Sequence, residues 1–432
     1  MRILFEKASI LLRGDTSYNV LENAFLAVSG EFIEYIGTDR PAGDFDVVKD
    51  MKHRLLMPGL VNAHCHSSMV LLRGVGSDKP LHEWLFDSIF PIEAKLRPED
   101  VVAGAALAFA ELLASGVTSV SDMYFHPPLI CELAEKVGIK LNANDAVTCP
   151  SELGEEGEEK IGRAVRLYED WHGKANGRIR VDAALHSEYL NSESVMKHYL
   201  DLCRSHEACF TVHLSETEAE HRECMERHGL TPMAYFEALG YLETFPSYCA
   251  HCVYISEDDM RIMKRHGVSI IHNPSSNMKL GSGFAPVGEA VSRGINVALG
   301  TDGAASNNNL NMFEELHLAA LTHKGFSKNP SLLGTSQLID MATINGARAQ
   351  GRFDTGVLKA GKKADIIALD LRPPHMFPRF DVPALICYSA QASDVVMTMV
   401  DGKILYEDGR YTTLDIEAVM KDAKDSAEYL LK

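Results

Sequence analysis

The chain has 432 residues, and 42 Lys+Arg against 60 Asp+Glu leave a formal net charge of −18, which argues against a nucleic-acid or anionic-membrane partner. With 46% hydrophobic and 24% charged residues, its composition is globular and excludes a disordered, collagenous or disulfide-dense chain. Nine cysteines scattered from Cys65 to Cys387 follow no framework of spacings and read as reduced thiols of a cytoplasmic protein.

The opening MRILFEKASILL carries charges inside its apolar stretch and has no small-residue cleavage site, so it does not read as a signal peptide. Residues 1 to about 56 then alternate as short strands, ILFEKASILL followed by NAFLAVSGEFIEYIG, with Ser29-Gly30 where a turn belongs. From Met57 to Gly351 short apolar runs alternate with segments of helical period, the pattern of repeated β/α units. Strands are predicted at 60–66, 117–124, 140–147, 179–186, 210–216, 248–254, 268–274 and 296–302. Eight such units predict an α/β fold whose 57–351 portion is a closed (β/α)8 TIM-like barrel. Among the helical stretches, SEDDMRIMKRHG ends in a glycine suited to the position just past a helix. The most apolar one, VVAGAALAFAELLASGV, is rich in Ala and Gly and carries Glu111, which suits packing on protein and not on lipid.

After the barrel, GVLKAGKKADIIALDL and VVMTMVDGKILYEDGRY return to hairpin pattern, with Asp401-Gly402 as a turn. Neither end alone has enough strands to bury a face. Residues 1–56 and 352–432 are therefore expected to combine into one small β-sandwich domain, closed by an amphipathic helix within 412–432.

Buried parallel strands should be apolar throughout, yet these carry His, Asp and Glu near their C-terminal ends, where barrel enzymes keep their chemistry. His64 and His66 are two apart on one strand and so face the same side. His213 lies late in the fifth strand, and Asp302 ends the eighth, which in a closed barrel neighbours the first. Three imidazoles and a carboxylate without thiolate favour zinc, with iron or manganese as alternatives, and leave a position for water. Glu216, three residues after His213, is placed as a proton shuttle, and His251 as a group polarising a substrate atom. His186 ends the fourth strand as a substrate-contact candidate, and His272, ending the seventh, is a weaker one. Cys249 and Cys252 form a CxxC, read as buried thiols because no second pair completes a metal site.

The segments PGLVNAHCHSSM, HLSET, AHC and GTDGAASNNNLNMFEEL resemble the amidohydrolase superfamily, in its aromatic-base deaminase and chlorohydrolase branch. LLRGVGSDKPLHEWL and NPSSNMKLGSG add a resemblance to the 5-methylthioadenosine/S-adenosylhomocysteine deaminases. The resemblance implies that one zinc is bound by His64, His66, His213 and Asp302, that Glu216, His251 and Asp302 handle protons, and that Glu93 and His186 contact substrate. Glu93 would accept from ribose hydroxyls, and Trp84 would lie near the base. It further implies a small purine-nucleoside substrate deaminated with release of ammonia, and a homo-oligomer, dimer or tetramer. The dinuclear branch needs a lysine on the fourth strand, and IRVDAALH has none. Guanine, pterin or triazine deamination, and a catalytically silent binding barrel, are the competing readings.

One departure bears on specificity. Relatives that take S-adenosylhomocysteine are expected to present arginines to its carboxylate from the region between the third and fourth strands. NANDAVTCPSE has none there, leaving Arg163 and Arg166 as candidates further on. A substrate without that carboxylate, such as 5-methylthioadenosine, 5′-deoxyadenosine or adenosine, is therefore favoured.

Overall fold

The computed structural model describes residues 1–432. The eight predicted runs fold as parallel strands buried on both sides, with apolar residues packed against the covering helices and buried polar ones such as Asn142, Asp182 and Tyr248 hydrogen-bonded to one another between strands. Six are continuous: Leu60–His66, Val117–Met123, Lys140–Asn144, Phe210–Leu214, Ser247–His251 and Ser269–His272. The fourth and eighth are each broken once, Ile179–Val181 continuing as Ala183–Ala184 and Val297–Leu299 as Asp302–Gly303. At each break the first half pairs with the preceding strand and the second half with the next. Asp302 thereby pairs with Cys65 of the first strand and closes the cylinder.

Several strands end earlier than the sequence pattern suggests. Their final residues leave the sheet through left-handed backbone, with φ of 48° at Ser215, 69° at His251, 50° at Cys252 and 62° at Asp302. Alternation in sequence does not register such turns. The helices obey their local signals. Glu257–His266 begins at Ser256, whose side chain and that of Asp259 form a reciprocal cap, and it ends at Gly267 with φ of 69°.

The two chain ends share one nine-stranded sheet. Arg2–Arg13 pairs antiparallel with Tyr18–Ser29 and parallel with Arg54–Pro58, which in turn pairs antiparallel with Ile366–Asp370. The two N-terminal strands are twelve residues each, longer than their sequence suggests. Ile3, Phe5, Leu26, Leu56, Ile366 and Met397 bury into a core of this sheet's own. Their alternating neighbours Leu11, Leu55, Met57 and Ile367 join the large barrel core instead. Asp401 and Gly402, with φ of 44° and 72°, make the tight turn between Val395–Val400 and Lys403–Glu407.

A buried ion cluster joins the sheet to the barrel. Lys140, at the start of the third barrel strand, donates to Asp365 and lies 2.7 Å from Asp401 Oδ1, with all three side chains at most 4% exposed. The terminal helix Ile416–Leu430 lies on Pro98–Ala114, where the Arg97 guanidinium stacks 3.8 Å over the Tyr429 ring. All nine cysteines are free and buried, and no helix is long and apolar enough to cross a membrane.

Candidate active site

Ser215, His251, Cys252 and Asp302 collect at the C-terminal mouth of the barrel, where non-glycine residues in left-handed backbone store strain that packing must hold. Together they turn polar side chains inward over a cavity of about 420 Å³. His66, Trp84, Glu93, His186, His213, Glu216, His251 and Asp302 all line it. His64, 2% exposed, sits against them without lining it.

The histidine orientations follow from the protons they give away. His66 Nδ1 meets the Met123 carbonyl at 2.5 Å and His213 Nδ1 the His186 carbonyl at 2.7 Å, so both rings carry their proton on Nδ1. Their Nε2 lone pairs are left facing each other 3.3 Å apart. His64 Nε2 is buried with no hydrogen-bond partner. Asp302 Oδ1 lies 3.1 Å from His66 Nε2 and 3.5 Å from His64 Nε2. The other carboxylate oxygen is committed elsewhere, accepting from Ser276 Oγ at 2.6 Å and Ser306 Oγ at 2.8 Å. Inward lone pairs, an orphaned imidazole nitrogen and one free carboxylate oxygen fit a single cation. Electrostatics agree: burial opposes ionisation of Asp302, but His64 and His66 hold its carboxyl well below the usual range. Burial likewise opposes protonation of His66, yet Asp302 carries it up to about 9, so a proton and a cation compete for the same Nε2 lone pair. The carboxylate selects positive charge at this spot.

A nitrogen of His251 also falls within 4.8 Å of the His64 and His213 donors. Its Nδ1 donates to Asn277 Oδ1 at 2.8 Å, which leaves Nε2 an acceptor pointing toward Glu216, 3.8 Å away. Glu216 is buried, and desolvation raises its carboxyl above the ordinary value. Glu220 holds the turn that aims it, its two carboxylate oxygens accepting from Ser215 N at 2.7 Å and Glu216 N at 2.8 Å.

On the opposite wall Glu93 accepts from the Tyr124 hydroxyl at 2.8 Å, and burial raises its carboxyl as well. Trp84, 4% exposed, donates from Nε1 to the Val75 carbonyl at 3.2 Å and presents its ring to the cavity. His186 is pushed down to about 3 by burial and the neighbouring His66, and its Nδ1 has no partner. Arg163 reaches the cavity, whereas Arg166 does not, and Arg163 is paired with Asp145 at 3.2 Å. His272 is not part of the site; it turns away to His323, Nε2 to Nε2 at 2.9 Å.

Tyr124, Asp145, Glu220, Ser276, Asn277 and Ser306 escape the sequence reading. Ser276 and Asn277 follow the seventh strand directly, so extending the strand-end rule by a few residues reaches them. Tyr124 ends the second predicted strand, so the strand-end rule reaches it directly, although the Glu93 it binds lies 31 residues away.

With the geometry in hand, known proteins can be compared. The description "amidohydrolase family" matches residues 55–405. A 5-methylthioadenosine/S-adenosylhomocysteine deaminase of Acetivibrio thermocellus is 41% identical over the full length of both chains. A 5′-deoxyadenosine deaminase of Methanosarcina acetivorans is 40% identical over 98% of each. Among solved structures, an adenosine deaminase from Xanthomonas campestris with bound zinc superposes with a TM-score of 0.93 at 29% identity, covering 99% of this chain and 98% of that one.

Proposed function

This chain belongs to the amidohydrolase family, and on that premise we propose that it deaminates an adenosine-type nucleoside, hydrolysing the exocyclic carbon–nitrogen bond to leave the 6-oxo product and ammonia. The observation that carries this reading is the convergence of His64, His66, His213 and Asp302 beneath a cavity flanked by the buried Glu216 and the half-buried Glu93.

His64, His66, His213 and Asp302 would hold one zinc ion, which supplies Lewis acidity and lowers the pKa of water from about 15.7 toward 7. Glu216, whose carboxyl burial raises above its ordinary value, would donate to N1 of the purine, which weakens the aromatic ring and opens C6 to attack by water. His251 accepts a hydrogen bond from that water at Nε2, because Asn277 occupies its Nδ1 proton. Asp302 takes up the proton released as the C6–O bond forms, and Ser276 and Ser306 keep its carboxylate in place meanwhile. Asp302 then passes that proton to the amino group, the C6–N bond breaks to release ammonia, and the remaining hydroxyl proton on C6 returns to Glu216, leaving the 6-oxo product.

Glu93 suits the ribose. Its carboxyl, held by Tyr124 and otherwise desolvated, regains polar partners when sugar hydroxyls arrive. A free base offers no such group, which favours a nucleoside over guanine. Arg163 is the arginine within reach of a 5′ substituent, and Asp145 already neutralises it. Substrates without a carboxylate, 5′-deoxyadenosine and 5-methylthioadenosine, are therefore preferred over S-adenosylhomocysteine.

The test is zinc analysis of purified protein, then ammonia release from adenosine, 5′-deoxyadenosine, 5-methylthioadenosine, S-adenosylhomocysteine and guanine. Near-stoichiometric zinc and highest kcat/KM on an uncharged 5′-substituted adenosine are expected. A preference for guanine refutes the role of Glu93, and a preference for S-adenosylhomocysteine refutes that of Asp145.

A further inference from the structure

A second cleft, of about 580 Å³, opens at the other end of the barrel. It lies between the turn after the first strand of the chain, at Gly14 and Asp15, the short helix Ile344–Ala349, and the stretch that leads from barrel to sheet. Arg352 marks its position. Its guanidinium donates to the carbonyls of Leu141 and Arg178, at the starts of the third and fourth barrel strands, away from the catalytic mouth.

In a chain of net charge −18 the lining of this cleft is inverted: five cations face Asp15 as the one acid. Arg13 is neutralised from outside by Asp340, through contacts of 2.8 and 2.9 Å. The other four have no carboxylate. Arg352 is 4% exposed, and its donors reach only neutral oxygens, those of Asn142 Oδ1 and backbone carbonyls. A buried guanidinium with no carboxylate in contact is costly: burial and Arg180 pull Arg352 down to about 10, against the more distant Asp365, Asp182 and Asp401. Lys362 donates to the Phe353 carbonyl at 2.8 Å, and the side chains of Arg348 and Lys359 bond nothing. Phe353, 72% exposed, stands at the rim as an unpaired aromatic face.

We propose that this cleft is a second ligand site, distinct from the catalytic cavity, which binds a phosphate group through Arg348, Lys359 and Lys362 over the buried charge of Arg352. Guanidinium and ammonium donors around a dianion form strong charge-assisted hydrogen bonds. The phosphate can arrive alone or on a nucleotide, whose base would stack on Phe353.

Calorimetric titration of the full-length zinc-loaded protein with inorganic pyrophosphate and with uridine monophosphate tests this. The pyrimidine nucleotide lacks the purine that the catalytic site is built for. Saturable binding of at least one probe is expected. It should weaken at least tenfold in Arg348→Glu/Lys359→Glu and stay within twofold in Lys403→Glu/Arg410→Glu, an exposed pair of equal charge change in the sheet. Tighter binding of the nucleotide than of pyrophosphate, lost in Phe353→Ala, identifies the nucleotide as the source; equal binding identifies free phosphate. No saturable binding of either probe overturns the proposal, as does equal weakening in both double variants, which is a bulk charge effect.

Discussion

Replacing Glu220 with glutamine separates the placing of Glu216, the proposed catalytic acid, from its chemistry. Glu220 does not line the cavity, yet its two oxygens hold the backbone N–H groups of Ser215 and Glu216, and Ser215 sits at φ of 48°. Glutamine keeps the size and one acceptor oxygen but turns an NH2 group against the second N–H. One of two buried hydrogen bonds is lost and a backbone N–H is left unsatisfied, which costs about 1–3 kcal/mol. That is enough to release the left-handed turn, and a displacement of about 1 Å at a reacting group costs on the order of 10²-fold in rate. Zinc content should be unchanged, since the proposed ligand atoms lie on other elements or precede the turn. The assay is steady-state ammonia release with zinc stoichiometry and circular dichroism on the same sample. The expected result is kcat lower by about 10²-fold with KM within a few-fold, zinc retained, and fold intact. A kcat within twofold of the parent, in a folded protein, refutes the positioning argument; loss of zinc alongside kcat refutes the separation of acid and metal.

Three further outcomes follow from other residues. His213→Ala should lose zinc and activity together, whereas Glu216→Ala should keep zinc and lose about 10²–10⁴-fold in turnover, read by metal analysis and ammonia release; normal zinc in the first or full activity in the second rejects the assigned role. Lys140→Met strands Asp365 and Asp401 as facing carboxylates in the junction, and should destabilise by about 3–5 kcal/mol in denaturant melts at pH 7, with a neutral outcome arguing that the cluster is hydrated. Glu315 is buried, and desolvation raises its carboxyl to about 8 while it accepts from Asn307 at 2.7 Å and from the Ser275 amide. A raised acid binds its proton more tightly when folded, so its contribution to stability is present below the unfolded pKa of about 4.5 and falls as pH rises through 8. Melting temperature should therefore decline from pH 6 to 9 more steeply in the parent than in Glu315→Gln, and equal slopes would refute the shift.

How much was legible depended on whether a residue's role is local. The pair His64 and His66 is readable because strand alternation puts positions two apart on one face, whatever surrounds them. Ser256 and Gly267 bound their helix through their own side chain and φ, and Asp401-Gly402 turns its hairpin for the same reason. Strand ends were less legible, because Ser215, His251 and Asp302 are ordinary residues forced into left-handed backbone by the barrel rim. His186 is reached by its place at a strand end, whereas Glu93 and Trp84 are reached only through family resemblance.

What the chain's order of residues determined by itself was the eightfold β/α alternation and the type of donor at each strand end, because backbone periodicity and ligand chemistry are properties of short segments. Closure of the barrel decided the rest. It brought Asp302 beside Cys65, set Tyr124 on Glu93 and Asn277 on His251, and engaged Arg163 with Asp145 before any substrate could. It also joined both chain ends in one sheet and left four cations without a carboxylate partner in the cleft at the barrel's far end. Each of these contacts spans from 18 to more than 200 residues, and its energy depends on burial and on the direction of a single lone pair. Neither exists until the surrounding structure has excluded water and fixed the rotamers.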